Sequence, residues 1–254
     1  MFAVRAPIAS VNYFAPMVGN PRLGYRIVIR HFRQPREIGR LNGEVIELLQ
    51  QLAAMYSKQE LANDFCKLGI KAGDTVMLHA SVRAVGEVAG GPDAIHLALK
   101  SALTPEGTLM MYASCPQYCD EVGRGNLTAN QEHELLEKLP AFDPVTARAA
   151  RDNGALVELF RTYPGSRVNS HMARFVFWGK QTDWLMSTQP WNYALGKNSA
   201  LERFLHLDGK IVLLGSDRDA VTFLHYVEHV ADFTGKRILR YQVPVLENGS
   251  RVWR

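Results

Sequence analysis

Three side chains near the C-terminal end of the chain, His225, Glu228 and His229, have the types and spacing that acid–base chemistry requires. They lie three and four residues apart, so a helix predicted over residues 219–232 would carry them near one face. A histidine that a neighbouring carboxylate orients can act as a general base near neutral pH. A helix with two ordinary half-buried histidines is the alternative. The residues expected to face the core from this helix are Val221, Leu224 and Val227.

The same helix spells the pattern H-x-x-E-H, in which two histidines hold zinc and the glutamate activates water. A catalytic zinc site requires a third protein ligand. The strongest acidic candidate downstream of His229 is Glu247, in a predicted hairpin turn. We therefore expect no metal ion, and a zinc-dependent hydrolase is kept as an alternative function.

A second candidate site is the loop that follows the strand predicted over residues 75–79. It runs from His79 to Gly86 and leads to the pair Gly90-Gly91, just before a predicted helix. Ligands of open α/β sheets bind beyond the carboxyl ends of the strands, and backbone N–H groups at a helix start suit phosphate oxygens. The loop is neither a Walker loop nor a GxGxxG fingerprint. A phosphate site and a plain connecting loop therefore both remain open at this point.

Alternating strands and helices are predicted to position these candidates. The patterns predict strands over residues 75–79, 108–112, 172–178 and 210–214, and helices over 92–103, 154–163 and 181–188. Two helices are expected before the first of these strands, the second closed by Gly69. The pair Asn248-Gly249 between two strand-like runs predicts a hairpin. The fold class is therefore α/β, a layered α/β/α arrangement with one main, mostly parallel sheet plus a C-terminal hairpin.

Composition restricts the class of protein further. The chain has 254 residues, of which 47% are hydrophobic and 21% charged. No apolar run approaches the roughly 18 to 20 residues that a membrane-spanning helix requires. Three cysteines are too few for a disulfide framework in a chain of this length, which suits a reducing compartment. We therefore expect a cytoplasmic protein with no membrane partner.

The positive charge is concentrated at the N-terminus. Residues 1–40 hold seven arginines and one acid, Glu37, so residues 41–254 carry a net charge of −2 although the whole chain carries +4. A basic arm on a mildly acidic body differs from a basic nucleic-acid-binding face. Four prolines and the lack of any period predict an irregular arm over residues 1–40. We expect one catalytic domain over residues 41–254 and no nucleic-acid partner.

Six short segments occur in the order in which a known family has them. They are residues 68–74 (LGIKAGD), 78–83 (LHASVR), 90–92 (GGP), 103–109 (LTPEGTL), 142–144 (FDP) and 224–229 (LHYVEH). Together they resemble the aminoglycoside 3-N-acetyltransferase family, from about residue 48 to the end of the chain. The resemblance implies a fold distinct from the common GNAT acetyltransferases. It also implies transfer of acetyl from acetyl-CoA to the 3-amine of the 2-deoxystreptamine ring of aminoglycoside antibiotics, which gives antibiotic resistance.

The resemblance implies roles for individual residues as well. We expect His225 to act as the general base, with Glu228 orienting it or anchoring the substrate, and His79 is a second candidate for the essential histidine. The residues implied for the acetyl-CoA site are His79, Ala80, Ser81, Val82, Arg83, Gly90, Gly91 and Ser114. Because an aminoglycoside is a polycation, the carboxylates Asp143, Asp219 and Glu228 are expected to bind it.

The chain departs from the family pattern at three places. Ala80-Ser81 stands where the family usually has a Ser-Ser pair, and Met172 follows His171 where the family often has proline. Family members also continue for some tens of residues past the hairpin, so the domain over 41–254 is expected to be short at its C-terminus. A catalytically impaired protein that still binds CoA or aminoglycoside is thus a further alternative. The sequence leaves open whether the protein is a monomer or a homodimer.

Overall fold

The computed structural model describes residues 55–115, 121–122, 124–238, 240 and 242–254, together with the backbone of strand β1 (Ile27–Ile29). The rest of the predicted arm over residues 1–40 lies outside the described residues, as does the first of the two helices expected before residue 75. The division of the chain at residue 40 therefore stays a prediction.

A six-stranded sheet in the order β1-β6-β2-β3-β5-β4 forms the centre of the described structure. The strands after β1 are β2 (Thr75–Ala80), β3 (Thr108–Tyr112), β4 (Arg167–Val168), β5 (Phe175–Gly179) and β6 (Lys210–Leu214). β1, β6, β2 and β3 pair in parallel, whereas β5 pairs antiparallel with both β3 and β4. The sheet thus confirms the predicted α/β class with one mostly parallel sheet.

Helices cover both faces of this sheet. They are α1 (Lys58–Lys67), α2 (Val82–Val85), α3 (Asp93–Leu103), α4 (Ala129–Lys138), α5 (Ala155–Thr162), α6 (Thr182–Met186), α7 (Ala200–His206) and α8 (Phe223–Val230). α1, α3 and α5 share a core with Val76 and Leu78 of β2, while α6, α7 and α8 share the opposite core with Met77. Alternate residues of β2 therefore face opposite layers, as strand geometry requires, and the sheet is buried on both faces. Within the described residues, no helix is long and apolar enough to cross a membrane.

Two helices begin at capping boxes. At α1 the Ser57 hydroxyl accepts from the backbone N–H of Glu60, whose carboxylate accepts from the backbone N–H of Ser57, both at 3.1 Å. Thr128 and Gln131 make the same reciprocal pair at α4. Apolar spacing did not predict α4 because that helix has no fully buried residue. Its start is instead readable from the capping box.

The predicted C-terminal hairpin is confirmed. β7 (Pro244–Glu247) and β8 (Ser250–Trp253) are antiparallel, and Asn248 and Gly249 between them have φ of +50° and +77°. Those values suit a two-residue turn of the type I′ class. The hairpin docks on Phe142, whose N–H donates to Pro244 O at 2.8 Å.

The helix predicted over residues 219–232 is shorter than expected. A 3₁₀ turn spans Arg218–Ala220, Val221 is extended, and α8 begins only at Phe223. The helical period therefore restarts at Phe223, so Phe223 and Tyr226 are the buried residues of α8. Leu224 is 38% exposed, and the prediction that it faces the core is wrong.

Candidate active site

A cavity of about 630 Å³ opens where β2, β3 and β6 end. It is lined by residues 78–83, by Met111 and Tyr112 of β3, by residues 152–155, and by residues 215–217, 219–222 and 225. Parallel α/β sheets bind ligands at this edge. The volume falls within the roughly 300–1,000 Å³ range of small-molecule sites.

Residues 78–83 at the end of β2 form what we call the inner wall. Strand alternation turns His79 towards the same layer as Met77, which is the layer that contains α8. Burial lowers the pKa of His79 from 6.5 to about 4, and its Nε2 atom has no hydrogen-bond partner among the described residues. His79 is therefore a neutral imidazole at physiological pH with one ring nitrogen unused.

The turn after β2 is fixed at both ends. The Ser81 hydroxyl accepts from the backbone N–H of Ala84 at 3.3 Å and caps α2. The backbone N–H of Ser81 donates to Leu214 O of β6 at 3.0 Å. These two bonds hold the exposed Arg83 at the cavity.

Residues 152–155, just before and at the start of α5, approach the inner wall closely. Gly154 has φ of +82°, and a Cβ atom there would lie 3.3 Å from Ala80 O. Asn153 Nδ2 donates to both the carbonyl and the hydroxyl oxygen of Ser114, each at 3.0 Å. Gly154 caps α5 without a side-chain hydrogen bond, so no capping side chain uses the first N–H groups of α5. Gly154 and Ala155, at the start of this helix, line the cavity.

The residues that follow β6 and line the cavity, 215–217, 219–222 and 225, form what we call the outer rim. Gly215 directly follows β6 and has φ of +70°. A Cβ atom there would lie only 2.6 Å from Ala84 Cβ. The rim is therefore seated directly against the turn after the inner wall. Asp217 and Asp219 are both exposed.

His225 lies on α8 at the outer rim and points to the cavity rather than into the core. Its side chain is 52% exposed, and its Nδ1 atom lies 3.0 Å from Glu228 Oε2. Tyr226, on the buried side of the helix, donates from its hydroxyl to Glu202 Oε1 at 3.3 Å. Lys236 Nζ donates to the carbonyl oxygens of His229 and Ala231 at the end of α8. The helix that carries His225 is thus held at its middle and at its C-terminus.

The arrangement that the H-x-x-E-H pattern would need for zinc is not assembled. His229 Nδ1 lies 2.6 Å from His225 O, and its ring packs edge-on against Tyr193. Glu247 is paired with Arg254 in the hairpin at 2.6 and 2.7 Å. Among the described residues, no group of three or more His, Cys, Asp and Glu side chains is placed to hold a metal ion.

Among the described residues, the charge at the cavity is predominantly negative. Asp152, Asp217 and Asp219 line it together with one described arginine, Arg83. Asp152 belongs to the segment 152–155, and Asp217 and Asp219 belong to the outer rim, whereas Arg83 belongs to the inner wall. The cavity therefore has a basic group beside the strand ends and acidic groups around its opening.

Several residues predicted for the site do not line the cavity. Gly90 and Gly91, with φ of +90° and +79°, form the turn into α3. Ser114 acts indirectly, through its bonds to Asn153. Asp143 lies at the surface, where it accepts from Val145 N and the Thr146 hydroxyl, and these bonds lower the pKa of its carboxyl group. The roles assigned to these four residues stay predictions.

Sequence reasoning missed part of the lining. The missed residues are Leu78, Met111, Tyr112, Asp152, Asn153, Gly154, Ala155, Gly215, Ser216, Asp217, Ala220, Val221 and Thr222. The rule that ligands bind beyond strand ends would have identified Gly215 and Asp217, which directly follow the predicted strand over 210–214. Asp152 and Asn153 follow no strand, and they reach the cavity only through a long connection, so no local signal pointed to them.

Another buried histidine, His171, lies outside the cavity lining. His171 is 6% exposed, and burial lowers its pKa to about 4. Its Nδ1 accepts from Ala173 N at 3.0 Å, its Nε2 has no hydrogen-bond partner within the described part of the chain, and its ring centre lies 4.2 Å from that of Trp191. Like His79, it is a neutral imidazole with one unused nitrogen.

Comparison with known proteins defines the class to which this fold and cavity belong. A sequence profile described as aminoglycoside 3-N-acetyltransferase matches residues 77–254. Aminoglycoside N(3)-acetyltransferase III of Pseudomonas aeruginosa is 40% identical over 199 residues, which cover 78% of this chain and 73% of that protein.

Solved structures agree with the sequence comparison. The binary complex of AAC-IIIb with CoASH has a TM-score of 0.70 and 36% identity, and AAC-VIa bound to sisomicin has a TM-score of 0.71 and 39% identity. Each alignment covers 79% of this chain and 74% of the solved chain. The fold is therefore that of the non-GNAT antibiotic acetyltransferases. The chain belongs to the aminoglycoside 3-N-acetyltransferase family, as the six ordered segments predicted.

Proposed function

We propose that the protein transfers acetyl from acetyl-CoA to the 3-amine of the 2-deoxystreptamine ring of aminoglycosides, and thereby confers antibiotic resistance. The observation that carries the proposal is one cavity with a tight, partly basic inner wall and an acidic outer rim. The family relationship supports it, because one structural relative is a complex with CoASH and another a complex with sisomicin.

The inner wall suits the phosphate-bearing part of acetyl-CoA. Arg83 supplies positive charge, and the start of α5 at Gly154 and Ala155 supplies backbone N–H groups. Both features stabilise phosphate oxygens. Ser81 and Ala80 hold the turn between them, and the replacement of a family serine by Ala80 removes a hydroxyl but no backbone donor. We therefore place the cofactor along residues 79–83.

The outer rim suits a polycation. Asp217 and Asp219 line the cavity beside His225, and Glu228 lies one helical turn beyond. Ammonium groups are attracted to such a cluster and are steered to it from solution. We place the aminoglycoside between this rim and the inner wall, with Asp152 on the far side.

In this arrangement His225 acts as the general base. The thioester of acetyl-CoA is an activated acyl donor. The amine nitrogen forms a bond to the acetyl carbon, the C–S bond breaks with its electron pair leaving on sulfur, and His225 accepts the proton that the amine loses. Glu228 orients the ring through Nδ1, which leaves Nε2 free for that proton. A positioned base contributes about 10²- to 10⁴-fold.

The test is a CoA-release assay with a panel of aminoglycosides, run on wild type, His225→Ala and His229→Ala. His229 is the matched control because it stands on the same helix but contacts Tyr193 instead of lining the cavity. We expect His225→Ala to lower kcat at least tenfold with an unchanged circular dichroism spectrum, and His229→Ala to stay within about threefold of wild type. Equal loss in both variants would instead favour the metal-dependent alternative.

Two further variants test His79 and His171. His79→Asn and His171→Asn each remove a buried, neutral imidazole, and if either residue were the base, its variant would show the largest loss of kcat. Failure of the wild type to release CoA with any aminoglycoside, combined with calorimetric binding of CoA, would select the catalytically impaired binding protein. Absence of both would refute the proposed function.

The remaining expectations concern location and partners. We propose a cytoplasmic location, where acetyl-CoA is available, and neither a membrane nor a nucleic-acid partner. The mildly acidic body and the acidic rim support a cationic small molecule as the ligand. Monomer and homodimer both remain compatible with this function.

A further inference from the structure

The bulkiest fully buried side chain in the described structure is a cation, Arg174. It lies one residue before β5, and its carbonyl oxygen accepts from Ala113 N at 2.8 Å, just past the end of β3. An arginine is almost never fully buried unless it is paired. The burial of this charged side chain therefore needs an explanation other than core packing.

All the side-chain hydrogen bonds that Arg174 makes within the described residues go to backbone carbonyl oxygens. Nε donates to Ala113 O at 3.2 Å, Nη1 to Pro144 O at 3.2 Å and Nη2 to Ala147 O at 2.5 Å. The guanidinium also stands 5.7 Å from the centre of the Phe142 ring. One planar group thus ties the end of β3 to two points of the segment 144–147.

That segment leads directly to the cavity. After Ala147 the chain is anchored again, because Ala150 N donates to Ser114 O at 2.7 Å and Asn153 Nδ2 donates to Ser114 at 3.0 Å. Asp152, Asn153 and Gly154 then line the cavity. Arg174 and Ser114, both beside the end of β3, therefore anchor residues 144–153. A third anchor is Glu158 of α5, whose carboxylate accepts from Ala149 N at 3.0 Å and from Arg148 Nη1 at 2.7 Å.

We propose that Arg174 is a positioning residue of the active site, which holds residues 144–150 so that residues 152–154 stand against the end of β2 and complete the acetyl-CoA site. The inference rests on the proposed function for the identity of the ligand. Arginine suits this role because its fork donates in several fixed directions at once, whereas a lysine ammonium is a point charge on a flexible stem.

A purely structural role makes a different prediction. Replacing a buried ionic group by an apolar side chain of similar volume is often neutral or stabilising. If Arg174 only filled the core, Arg174→Met would leave ligand affinity unchanged. If Arg174 positions the segment, Arg174→Met frees three carbonyl oxygens, and residues 144–147 lose their anchor on Arg174 although Glu158 and Ser114 still hold residues 148–153.

The chain offers a matched control in Lys100. This side chain is 7% exposed and lies 4.8 to 5.2 Å from the ring centres of Phe160, Tyr163 and Trp178, away from the cavity lining. Lys100→Met therefore removes a second buried cation without touching the segment 144–154. Any general effect of losing a buried charge will occur in both variants.

The experiment measures the Kd of CoA by calorimetry and the amide hydrogen exchange of peptides covering residues 144–154, in full-length wild type, Arg174→Met, Arg174→Lys and Lys100→Met. We expect Arg174→Met to weaken CoA binding at least tenfold and to speed exchange in 144–154. Arg174→Lys should lie nearer to Arg174→Met than to wild type, and Lys100→Met should stay within twofold for affinity with unchanged exchange in 144–154.

The proposal is overturned if folded Arg174→Met binds CoA within twofold of wild type, or if Lys100→Met weakens binding equally. Should Arg174→Met fail to fold, Arg174→Lys decides by the same two measurements, because it retains the charge. A wild type that does not bind CoA refutes the proposed function instead. In that case the exchange comparison still decides whether Arg174 holds the segment, since exchange requires no ligand.

Discussion

The inner wall and the outer rim of the cavity differ in burial and in charge. The inner wall ends a strand that is buried on both faces, and its histidine, His79, has lost its ordinary proton affinity through burial. The outer rim carries exposed carboxylates and a half-exposed histidine, His225, that is hydrogen-bonded to Glu228. Buried walls fix geometry, whereas exposed charge attracts a mobile cation. The difference supports the proposal that the cofactor binds at the wall and the antibiotic at the rim.

The largest expected loss of activity comes from a substitution that pushes the outer rim away from the inner wall. At Gly215 a Cβ atom would lie 2.6 Å from Ala84 Cβ, and φ is +70°. Gly215→Val therefore combines a backbone strain of about 1–3 kcal/mol with a clash that Ala84 cannot relieve by rotating. We expect kcat/KM in the CoA-release assay to fall by about 100-fold or more.

Gly235→Val is the matched control for this substitution. Gly235 also has a positive φ, +86°, but a Cβ atom there meets nothing within 4 Å, and the residue does not line the cavity. Gly235→Val imposes similar backbone strain without the clash, so the kcat/KM of this variant should stay within about threefold of wild type. Equal losses in the two variants would show that strain, and not the seating of the rim on the wall, explains the result.

The second prediction concerns acid stability. Burial lowers the pKa of His79 and of His171 to about 4, while an unfolded histidine titrates near 6.5. Between these values the unfolded chain binds protons that the folded chain does not. The contribution of these two histidines to the free energy of unfolding should therefore fall as pH decreases from 6.5 towards 4 and level off below 4. Each residue contributes about 2 kcal/mol of this loss between pH 7 and pH 5.

Urea titrations at pH 7 and pH 5 measure this loss. His79→Asn and His171→Asn should each remove part of the difference between the two pH values, and the double variant should remove the sum, because the two residues stand in separate parts of the structure. A wild type whose stability is the same at pH 5 and pH 7 would contradict the buried, neutral state of both rings.

The sequence predicted the strands of the central sheet better than the residues of the candidate site. Strands over 108–112 and 210–214 were predicted with the bounds that the structure has, because buried parallel strands read as continuous apolar runs between turn residues. His225 and the inner wall were identified because they follow a strand or occupy one helix face. Asp152 and Asn153 were not, because Asn153 is held by hydrogen bonds to Ser114, which is distant along the chain. Contacts between residues that are distant along the chain produce no periodic pattern in the local sequence.

The same limit explains the helix that was predicted too long. Nothing in the residue types around Val221 announces the break between the 3₁₀ turn and α8. That break nevertheless decides which side chains are buried, since it moves the buried face to Phe223 and Tyr226 and leaves Leu224 exposed beside His225. The start of this helix differs by four residues from the prediction, 223 instead of 219, and that difference matters because the helix carries the candidate base His225.

The smallest expected effects separate two carboxylates that the sequence treated alike. Asp219 lines the cavity, whereas Asp143 is occupied by the Val145 N–H and the Thr146 hydroxyl in a surface turn. Asp219→Asn should raise the KM for an aminoglycoside by roughly threefold, since an exposed ion pair is weak, and should leave the KM for acetyl-CoA unchanged. The effect should shrink at high salt because exposed charges are screened. Asp143→Asn should leave both KM values within experimental error. If it raises the aminoglycoside KM as much as Asp219→Asn does, the substrate reaches beyond the rim to the turn at residue 143, and the acidic site is larger than the cavity.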